Sequence, residues 1–172
     1  MPTPAYISIT GKTQGNITQG AFTADSVGNG FVEGHEDEIL VQEIKHLIQL
    51  PTDPQSGQPT GQRVHRPLVF TCSVNKSVPL LYQALASGEL LTKVVLKLYR
   101  TSVNGQQEHF FSTTLEDAVI VNISMAVPNA QSPMYSDFTQ LIDVALSYRK
   151  ISWEHVVANT SAADDWRAPK AS

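Results

Sequence analysis

Residues 117–127 have the sequence DAVIVNISMAV, and this stretch decides the fold class. If the segment is extended, every second side chain points to the same face. The apolar side chains that then share one face are Val119, Val121, Ile123, Met125 and Val127. Asn122 and Ser124 fall on the opposite face. This period of two predicts a half-buried β-strand whose apolar face lies against a core.

The same alternation recurs on both sides of this stretch. Residues 139–149 place four side chains on one face, namely Ile142, Val144, Leu146 and Tyr148. Residues 92–101 direct three apolar side chains inward and two lysines outward, namely Val94, Leu96 and Leu98 against Lys93 and Lys97. Asn104-Gly105 then separates this segment from Gln106–Ser112. The pair predicts a β-hairpin with a type I′ turn, because that turn needs positive φ at both central residues.

Shorter strands are expected at Ala5–Thr10 and at Val64–Cys72. Pro67 lies inside the second of these and cannot donate a ladder hydrogen bond, which predicts an edge position or a bulge. The segment Asp37–Leu50 is ambiguous. Its side chains at helical spacing are Leu40, Ile44, Leu47 and Ile48. The local pattern therefore favours a helix there, although the segment is also rich in strand-forming residues.

One helix is expected after Ser77, which can cap its N-terminus. Pro79 falls in the first turn, where its missing N–H costs little. The apolar side chains that follow the helical period are Val78, Leu81, Tyr82 and Leu85. Gly88 can end the helix in the left-handed conformation. The patterns together predict a mostly β sandwich or barrel with one helix.

The composition excludes several classes of protein. A chain of 172 residues predicts a single domain spanning residues 1–172. The net charge is −4 and the isoelectric point is about 5.7, which argues against nucleic acid as the main partner. No apolar segment reaches the roughly 20 residues of a membrane helix, so no membrane insertion is expected. The N-terminus has neither the basic region nor the apolar region of a cleavable signal.

Two irregular segments lie outside these elements. Residues 51–63 have the sequence PTDPQSGQPTGQR and predict a loop of about 13 residues, a length that is usually functional or disordered. Residues 159–172 form a polar, alanine-rich tail that we expect near the surface. Trp166 indicates that part of this tail packs, since an indole ring is rarely left in water.

No catalytic constellation emerges from the residues. The densest set of potential metal ligands is His35-Glu36-Asp37-Glu38, which is interpreted as a solvated acidic turn. An enzyme, such as a metal hydrolase using His35, remains an alternative. A catalytic thiol–imidazole pair between Cys72 and His65 is excluded within the predicted strand, because the two residues lie roughly 23 Å apart and on opposite faces. Cys72 is therefore expected to be a small buried apolar residue. No cofactor and no metal are expected.

Several motifs resemble the hemolysin-coregulated protein (Hcp) family, the tube subunits of bacterial type VI secretion systems. In chain order they are Leu50-Pro51-Thr52-Asp53, Gly57, Thr60-Gly61-Gln62-Arg63, His65, Pro67, Ser77-Val78-Pro79-Leu80-Leu81, Lys97–Arg100, Phe110–Asp117, Tyr148–Trp153 and Asp165-Trp166. They span nearly the whole chain. The departures are the extra Val78 between Ser77 and Pro79, and a Gly11–Glu36 segment that is longer than in many members.

The resemblance implies a fold of two β-sheets in a barrel-like arrangement with one flanking α-helix. It also implies that Asp37–Leu50 is a strand, against the local pattern. Hcp proteins form homo-hexameric rings that stack into a tube, which is ejected inside a contractile sheath behind a spike and carries effector proteins in its lumen. The implied protein is therefore no enzyme. It is cytoplasmic before firing and then secreted without a signal peptide, with no appended effector domain.

The resemblance also assigns a role to the loop at residues 51–63, which corresponds to an extended family loop that reaches neighbouring subunits and helps rings to stack. The residues expected to form this contact are Pro51, Asp53, Gly57, Thr60, Gly61, Arg63 and His65. Buried subunit contacts would explain why only 16% of the residues are charged, against roughly 25% in an average protein. The alternative is a phage-type tail-tube protein of another contractile injection system.

Overall fold

The computed structural model describes residues 3–30, 32–135 and 139–168. Within these ranges the chain forms twelve strands, two α-helices and two short 3₁₀ turns. The strands are β1 (Ala5–Gly11), β2 (Gly15–Asn16), β3 (Ile39–Val41), β4 (Glu43–Lys45), β5 (Ile48–Gln49), β6 (Val64–His65), β7 (Leu68–Ser73), β8 (Leu91–Thr101), β9 (Gln107–Ala126), β10 (Leu141–Ser147), β11 (Lys150–His155) and β12 (Thr160–Asp165). The helices are α1 (Ala24–Val27) and α2 (Val78–Ser87), and the 3₁₀ turns are Gly28–Gly30 and Pro133–Tyr135.

The strands form two sheets that share the long strand β9. In the β8 sheet the order is β2-β1-β8-β9-β11-β12, with β3 also paired to β1. In the β10 sheet the order is β9-β10-β7-β4. Residues 107–118 of β9 pair with β8, and residues 119–126 pair with β10. The predicted mostly β fold with two sheets and one substantial helix is confirmed.

Strand β9 turns from one sheet into the other at Asp117. This residue has φ 51°, in the left-handed region that non-glycine residues rarely adopt. A second irregularity in the pairing with β10 falls at Val121, where the register shifts between Ala145 and Leu146. Two such irregularities in one strand allow it to bend and to redirect its side chains.

These irregularities overturn the predicted faces of residues 117–127. The buried side chains of β9 are Thr113, Leu115, Ala118 and Ile120, and Ile123 packs against the same core. Val121, Met125 and Val127 were expected inside and are instead exposed. The left-handed Asp117 turns Ala118 and Ile120 toward the core in place of Val119 and Val121, and the bulge at Val121 returns Ile123 to it. Met125 shares the face of Ile123 but lies beside the end of the strand, where it is exposed.

The other predicted strand faces are confirmed. Ile142, Val144 and Leu146 of β10 are completely buried, and Val94 and Leu96 of β8 are nearly so. The hairpin between β8 and β9 is also confirmed, but its turn is of another type. Only Gly105 has positive φ, and its N–H donates to the Ser102 carbonyl. This geometry is typical of a type I turn followed by a left-handed glycine.

Helix α2 begins and ends where the sequence predicted, but Asn75 and not Ser77 caps it. The Asn75 side-chain oxygen accepts hydrogen bonds from the backbone N–H and the hydroxyl of Ser77. Ser77 itself makes no side-chain capping bond to the helix. At the other end Gly88 has φ 67° and its N–H bonds the carbonyls of the last turn, as predicted.

The segment Asp37–Leu50 contains strands β3, β4 and β5, so the helix favoured by local pattern is wrong and the family-based expectation is confirmed. The segment passes from the β8 sheet to the β10 sheet: Val41 pairs with β1, and Glu43 pairs with β7. Between them the Gln42 N–H donates to the Thr71 carbonyl. This crossing holds the two sheets together on the side opposite β9, which produces the barrel-like arrangement.

Candidate functional site

Residues Ile48–His65, referred to below as the arm, extend the hairpin formed by β4 and β7. Ile48 pairs with His65, and Gln49 pairs with Val64. The Arg66 N–H donates to the Leu47 carbonyl, so the pairing continues from the β10 sheet into the arm. The arm is therefore an ordered projection of the sheet.

The outer part of the arm is shaped by its own hydrogen bonds. Asp53 accepts bonds on its side chain from the Gln55 N–H and the Ser56 hydroxyl, at 2.9 and 3.0 Å. Gly57 has φ 71° and its N–H donates to the Asp53 carbonyl. The Thr60 N–H donates to the Pro51 carbonyl. The Asp53 bonds lower the pKa of its carboxyl group.

The seven residues predicted for subunit contact thus fall into two groups. Pro51, Asp53, Gly57, Thr60 and Gly61 form the outer part of the arm, where most side chains are exposed. Arg63 and His65 instead face inward and contact Asp164. The role of all seven in contacts between subunits stays a prediction.

Arg63 and His65 fasten the arm to strand β12 through Asp164. The Arg63 Nε and Nη2 atoms donate to the two Asp164 carboxylate oxygens at 2.5 and 2.8 Å. His65 Nε2 lies 2.8 Å from Asp164 Oδ2. The Arg63 guanidinium lowers the pKa of Asp164, and His65 adds to this effect. Such a paired, hydrogen-bonded carboxylate is held in place far more firmly than an exposed ion pair.

A second set of hydrogen bonds continues from His65 into the core. The Tyr148 hydroxyl lies 2.7 Å from His65 Nδ1 and 2.7 Å from His46 Nε2. Tyr148 is 1% exposed, and burial raises the pKa of its phenol. Sequence reasoning missed His46, Tyr148 and Asp164, because positions so far apart in the chain show no common pattern.

The predicted C-terminal tail is largely the edge strand β12, whose exposed side chains are mostly small. Trp166, which follows β12, stacks on His65 with ring centroids 5.6 Å apart and donates its Nε1–H to the Tyr148 carbonyl. The expectation that Trp166 packs is confirmed. Residues 169–172 lie outside the described residues.

The base of the arm exposes an apolar surface. Its four large apolar side chains are between 36% and 54% exposed, namely Leu47, Ile48, Leu50 and Val64. The β5–β6 register puts Ile48 and Leu50 on one face of the arm and Leu47 and Val64 on the other, so both faces offer apolar side chains to a partner.

The solvent-facing side of the β10 sheet has a polar row, beside which a mixed row pairs Lys45, Val69, Ala145 and Asn122. One row of paired residues crosses all four strands, namely Glu43, Thr71, Asp143 and Ser124. The Thr71 hydroxyl donates to Asp143 Oδ1, and the Lys45 ammonium lies 3.2 Å from Glu43 Oε1. The next row faces the core and is apolar, namely Ile44, Phe70, Val144 and Ile123.

Both edges of the β10 sheet are open within the described residues. Strand β4 pairs with β7 alone, and residues 119–126 of β9 pair with β10 alone. Open edges present backbone N–H and C=O groups to a further strand.

The weaker chemical candidates take structural roles. His35 stacks on Tyr6 with ring centroids 3.8 Å apart. No group of three or more His, Cys, Asp or Glu side chains among the described residues could hold a metal ion. Cys72 is buried as expected, and burial raises the pKa of its thiol to about 12. None of the helices in the described ranges is long and apolar enough to span a membrane.

Comparison with known proteins finds relatives over the whole chain. The family described as "Type VI secretion system effector, Hcp" matches residues 6–155. The "Major exported protein" of Pseudomonas aeruginosa is 58% identical over 171 residues, covering 99% of each chain. A crystal structure of an Hcp protein superposes with a TM-score of 0.92 at 55% identity, covering 98% of this chain and 100% of that one. The secreted protein Hcp3 from P. aeruginosa gives a TM-score of 0.83 at 50% identity, covering 97% and 100%.

The family match covers the β10 sheet, the β8 sheet except β12, helix α2 and the arm, and the superposed structures share the fold of the chain. It also decides between the two contractile machines that the sequence left open. The chain therefore belongs to the Hcp family and is a tube subunit of a type VI secretion system.

Proposed function

We propose that six copies of this chain close into a ring through the two open edges of the β10 sheet. The observation that carries this proposal is the alternation of strand directions. All three pairings of β9, β10, β7 and β4 are antiparallel. Strand β4 of one subunit can therefore accept residues 119–126 of the next subunit's β9 as another antiparallel strand. This heterologous contact generates a ring when the rotation closes.

The polar face of the β10 sheet lines the channel of this ring. The β8 sheet and helix α2 lie behind the β10 sheet and need the larger outer circumference. The channel wall then repeats the row of Glu43, Thr71, Asp143 and Ser124 around the ring. Such a wall has a continuous row of hydrogen-bonding groups, which suits the passage and carriage of folded effector proteins.

The arm makes the contacts to neighbouring subunits and to the next ring. Its exposed apolar base supplies the surface that favours burial, with Leu47, Ile48, Leu50 and Val64 as the contributing residues. Its outer part offers Asp53 and the residues from Pro51 to Gly61 for polar contacts. Because the arm is already ordered within one chain, little conformational entropy is lost on contact.

The stacked rings form the tube of a contractile machine, surrounded by its sheath and capped by its spike. The tube is made in the cytoplasm and leaves the cell with firing, which agrees with the relative named "Major exported protein". The subunit makes and breaks no covalent bond and needs no cofactor. Its contribution is mechanical: it provides a wall, a channel and a compartment for effectors.

Native mass spectrometry and negative-stain electron microscopy of the purified full chain test this function. We expect a mass of six subunits and ring-shaped particles with a central hole. A protein that stays monomeric at high micromolar concentration would refute the ring. Elemental analysis of the same sample tests the metal-hydrolase alternative, which requires bound metal in stoichiometric amount.

A further inference from the structure

We propose that the contacts between the arm and β12 form a proton-sensitive latch, which holds the arm at neutral pH and releases it in acid. The latch consists of Arg63, His65 and Asp164 together with Tyr148 and His46. This property belongs to the single chain and does not depend on the ring.

The latch is built around one hydroxyl group between two imidazoles. The Tyr148 oxygen is 2.7 Å from both His65 Nδ1 and His46 Nε2. The His65 side chain is 1% exposed, and its other nitrogen is 2.8 Å from Asp164 Oδ2. Because the Tyr148 hydroxyl and His65 are shielded from water, each contact between them and their partners needs its own hydrogen atom.

The number of protons that the closed latch can hold follows from these contacts. In the neutral arrangement His65 donates Nε2–H to Asp164, Tyr148 donates its O–H to His65 Nδ1, and His46 donates Nε2–H to the Tyr148 oxygen. One extra proton fits without loss of a bond, on either histidine: on His46 it occupies Nδ1, and on His65 it reverses the direction of the two bonds to Tyr148.

A second extra proton does not fit. Both histidines then donate to the Tyr148 oxygen, and the buried O–H is left without an acceptor. An unsatisfied buried polar group destabilises the arrangement that contains it. The two positively charged imidazolium groups would also repel each other, because both would contact the same oxygen atom.

The charges around His46 oppose the second proton as well. Asp164 is already paired with Arg63, and Asp165 is paired with Arg149 at 2.5 Å. The groove beside His46 adds further cations and no carboxylate to its lining, which comprises Ile44, Lys45, His46, Leu47, Arg66, Pro67 and Val69. Partial burial lowers the pKa of His46, and the nearby His65 lowers it further. The released arm, in which both histidines reach water, therefore binds more protons in acid than the latched arm.

Release affects both segments that the latch joins. The arm loses Arg63 and His65 as anchors. Strand β12 loses the contacts of Asp164 and the stacking of His65 on Trp166, and it keeps its pairing with β11 and the Asp165–Arg149 ion pair. Release of the latch therefore exposes the backbone of the arm and of β12 together, whereas a general loss of stability would expose the other strands as well.

Hydrogen exchange of the full chain, measured by mass spectrometry in its purified oligomeric form, tests the latch. Exchange in peptides covering residues 48–65 and 160–165 is followed from about pH 8 to about pH 5, the range in which histidine titrates, and corrected for intrinsic exchange. We expect exchange in both peptides to rise roughly tenfold in acid, because the released arm binds more protons than the latched arm. Peptides from β8 and β10 should not change.

Two variants and two matched controls decide the assignment. The double variant H46Q/H65Q should abolish the acid-induced rise. The variants His109→Gln and His155→Gln remove histidines outside the latch and should leave the rise intact. If the double variant does not fold, Tyr148→Phe serves instead, because it keeps the aromatic side chain and removes the shared hydroxyl. Hydrogen exchange in both peptides should then be faster at neutral pH and should not rise further in acid. Exchange that is independent of pH in the natural chain, or a rise that survives in the folded variant, would overturn the proposal. Normal ring mass with acid-induced release supports the latch, whereas a monomer with the same release refutes only the ring.

Discussion

Asp117 lies at φ 51° in the middle of β9, and its carboxylate accepts a 2.7 Å hydrogen bond from Arg149 Nε. Arg149 also bonds Asp165, the last residue of β12, and its N–H donates to the Glu116 carbonyl. One arginine thus fixes the point at which β9 passes from the β8 sheet to the β10 sheet. A short polar side chain suits this position, because aspartate tolerates the left-handed conformation better than most residues.

The backbone strain at Asp117 can be separated from its ion pair. The variants Asp117→Ala and Asp117→Gly both lose the contact to Arg149, but only alanine is strained at this φ. We expect the alanine variant to be less stable than the glycine variant by about 1 kcal/mol. Urea unfolding of the two proteins measures this difference. An alanine variant as stable as the glycine variant would show that the corner does not require the left-handed conformation.

The sequence predicted the strands well and the irregularities poorly. Regular alternation in β8 and β10 places Leu96 and Val144 correctly, since an unbroken strand keeps its period. In β9 the left-handed Asp117 and the bulge at Val121 break the period, and neither has a glycine or proline to signal it. The tertiary pairing decides both positions.

Local competition explains the other differences. Ser77 has the right position for a helix cap, but its hydroxyl donates to Asn75, whose side-chain oxygen also accepts the Ser77 N–H. Asp37–Leu50 has a helical pattern, yet its backbone hydrogen bonds go to β1 and β7. The arm was predicted from Pro51 to Arg63, but its anchoring could not be, because Arg63 meets Asp164 only after the chain has folded.

Gly11 occupies a position where a side chain has no room. A Cβ atom built there would lie 2.5 Å from Glu89 Oε2 and 3.1 Å from Ile17 Cδ1. Glu89 cannot yield easily, because its carboxylate accepts the N–H groups of Thr13 and Gln14. We expect Gly11→Ala to lower the free energy of unfolding by about 1–3 kcal/mol. Gly61→Ala, where a Cβ meets nothing within 4 Å, is the matched control and should be near neutral in the same denaturation experiment.

The open edge of β9 should be sensitive to charge if it joins subunits. Val121 lies in residues 119–126 and is 47% exposed in the single chain. Lysine on an edge strand opposes further strand pairing. Val121→Lys should therefore reduce the fraction of rings in native mass spectra while the circular dichroism of the subunit stays unchanged. Val103→Lys at the tip of the β8–β9 hairpin is the control, since Val103 is fully exposed. Equal ring fractions for both variants would exclude this edge from the interface.

The outer arm should be dispensable for folding but needed for stacking. Deleting Gln55–Thr60 removes the tip and leaves the β5–β6 pairing and the Arg63 anchor in place. We expect the truncated chain to fold with unchanged thermal stability and to form single rings that no longer stack, with reduced secretion from a producing cell. Sedimentation velocity and a secretion assay measure these effects. Normal stacking and secretion of the truncated chain would refute the role proposed for the arm.

Asp164 should make the stability of the chain depend on pH in the acid range. Arg63 and then His65 lower the pKa of this carboxyl group in the folded state, so the unfolded chain binds a proton at a higher pH than the folded chain. The stabilising contribution is therefore complete above the unfolded value of about 4 and is lost as the pH falls through the lowered folded value. Asp164→Asn should be less stable at neutral pH and should show a shallower loss of stability below about pH 4. Urea midpoints between about pH 2.5 and pH 7 measure this slope. Asp25→Asn, which changes an exposed carboxylate, is the control and should keep the slope of the natural chain. An unchanged slope in Asp164→Asn would show that protonation of this carboxylate does not contribute to the pH dependence of the free energy of unfolding.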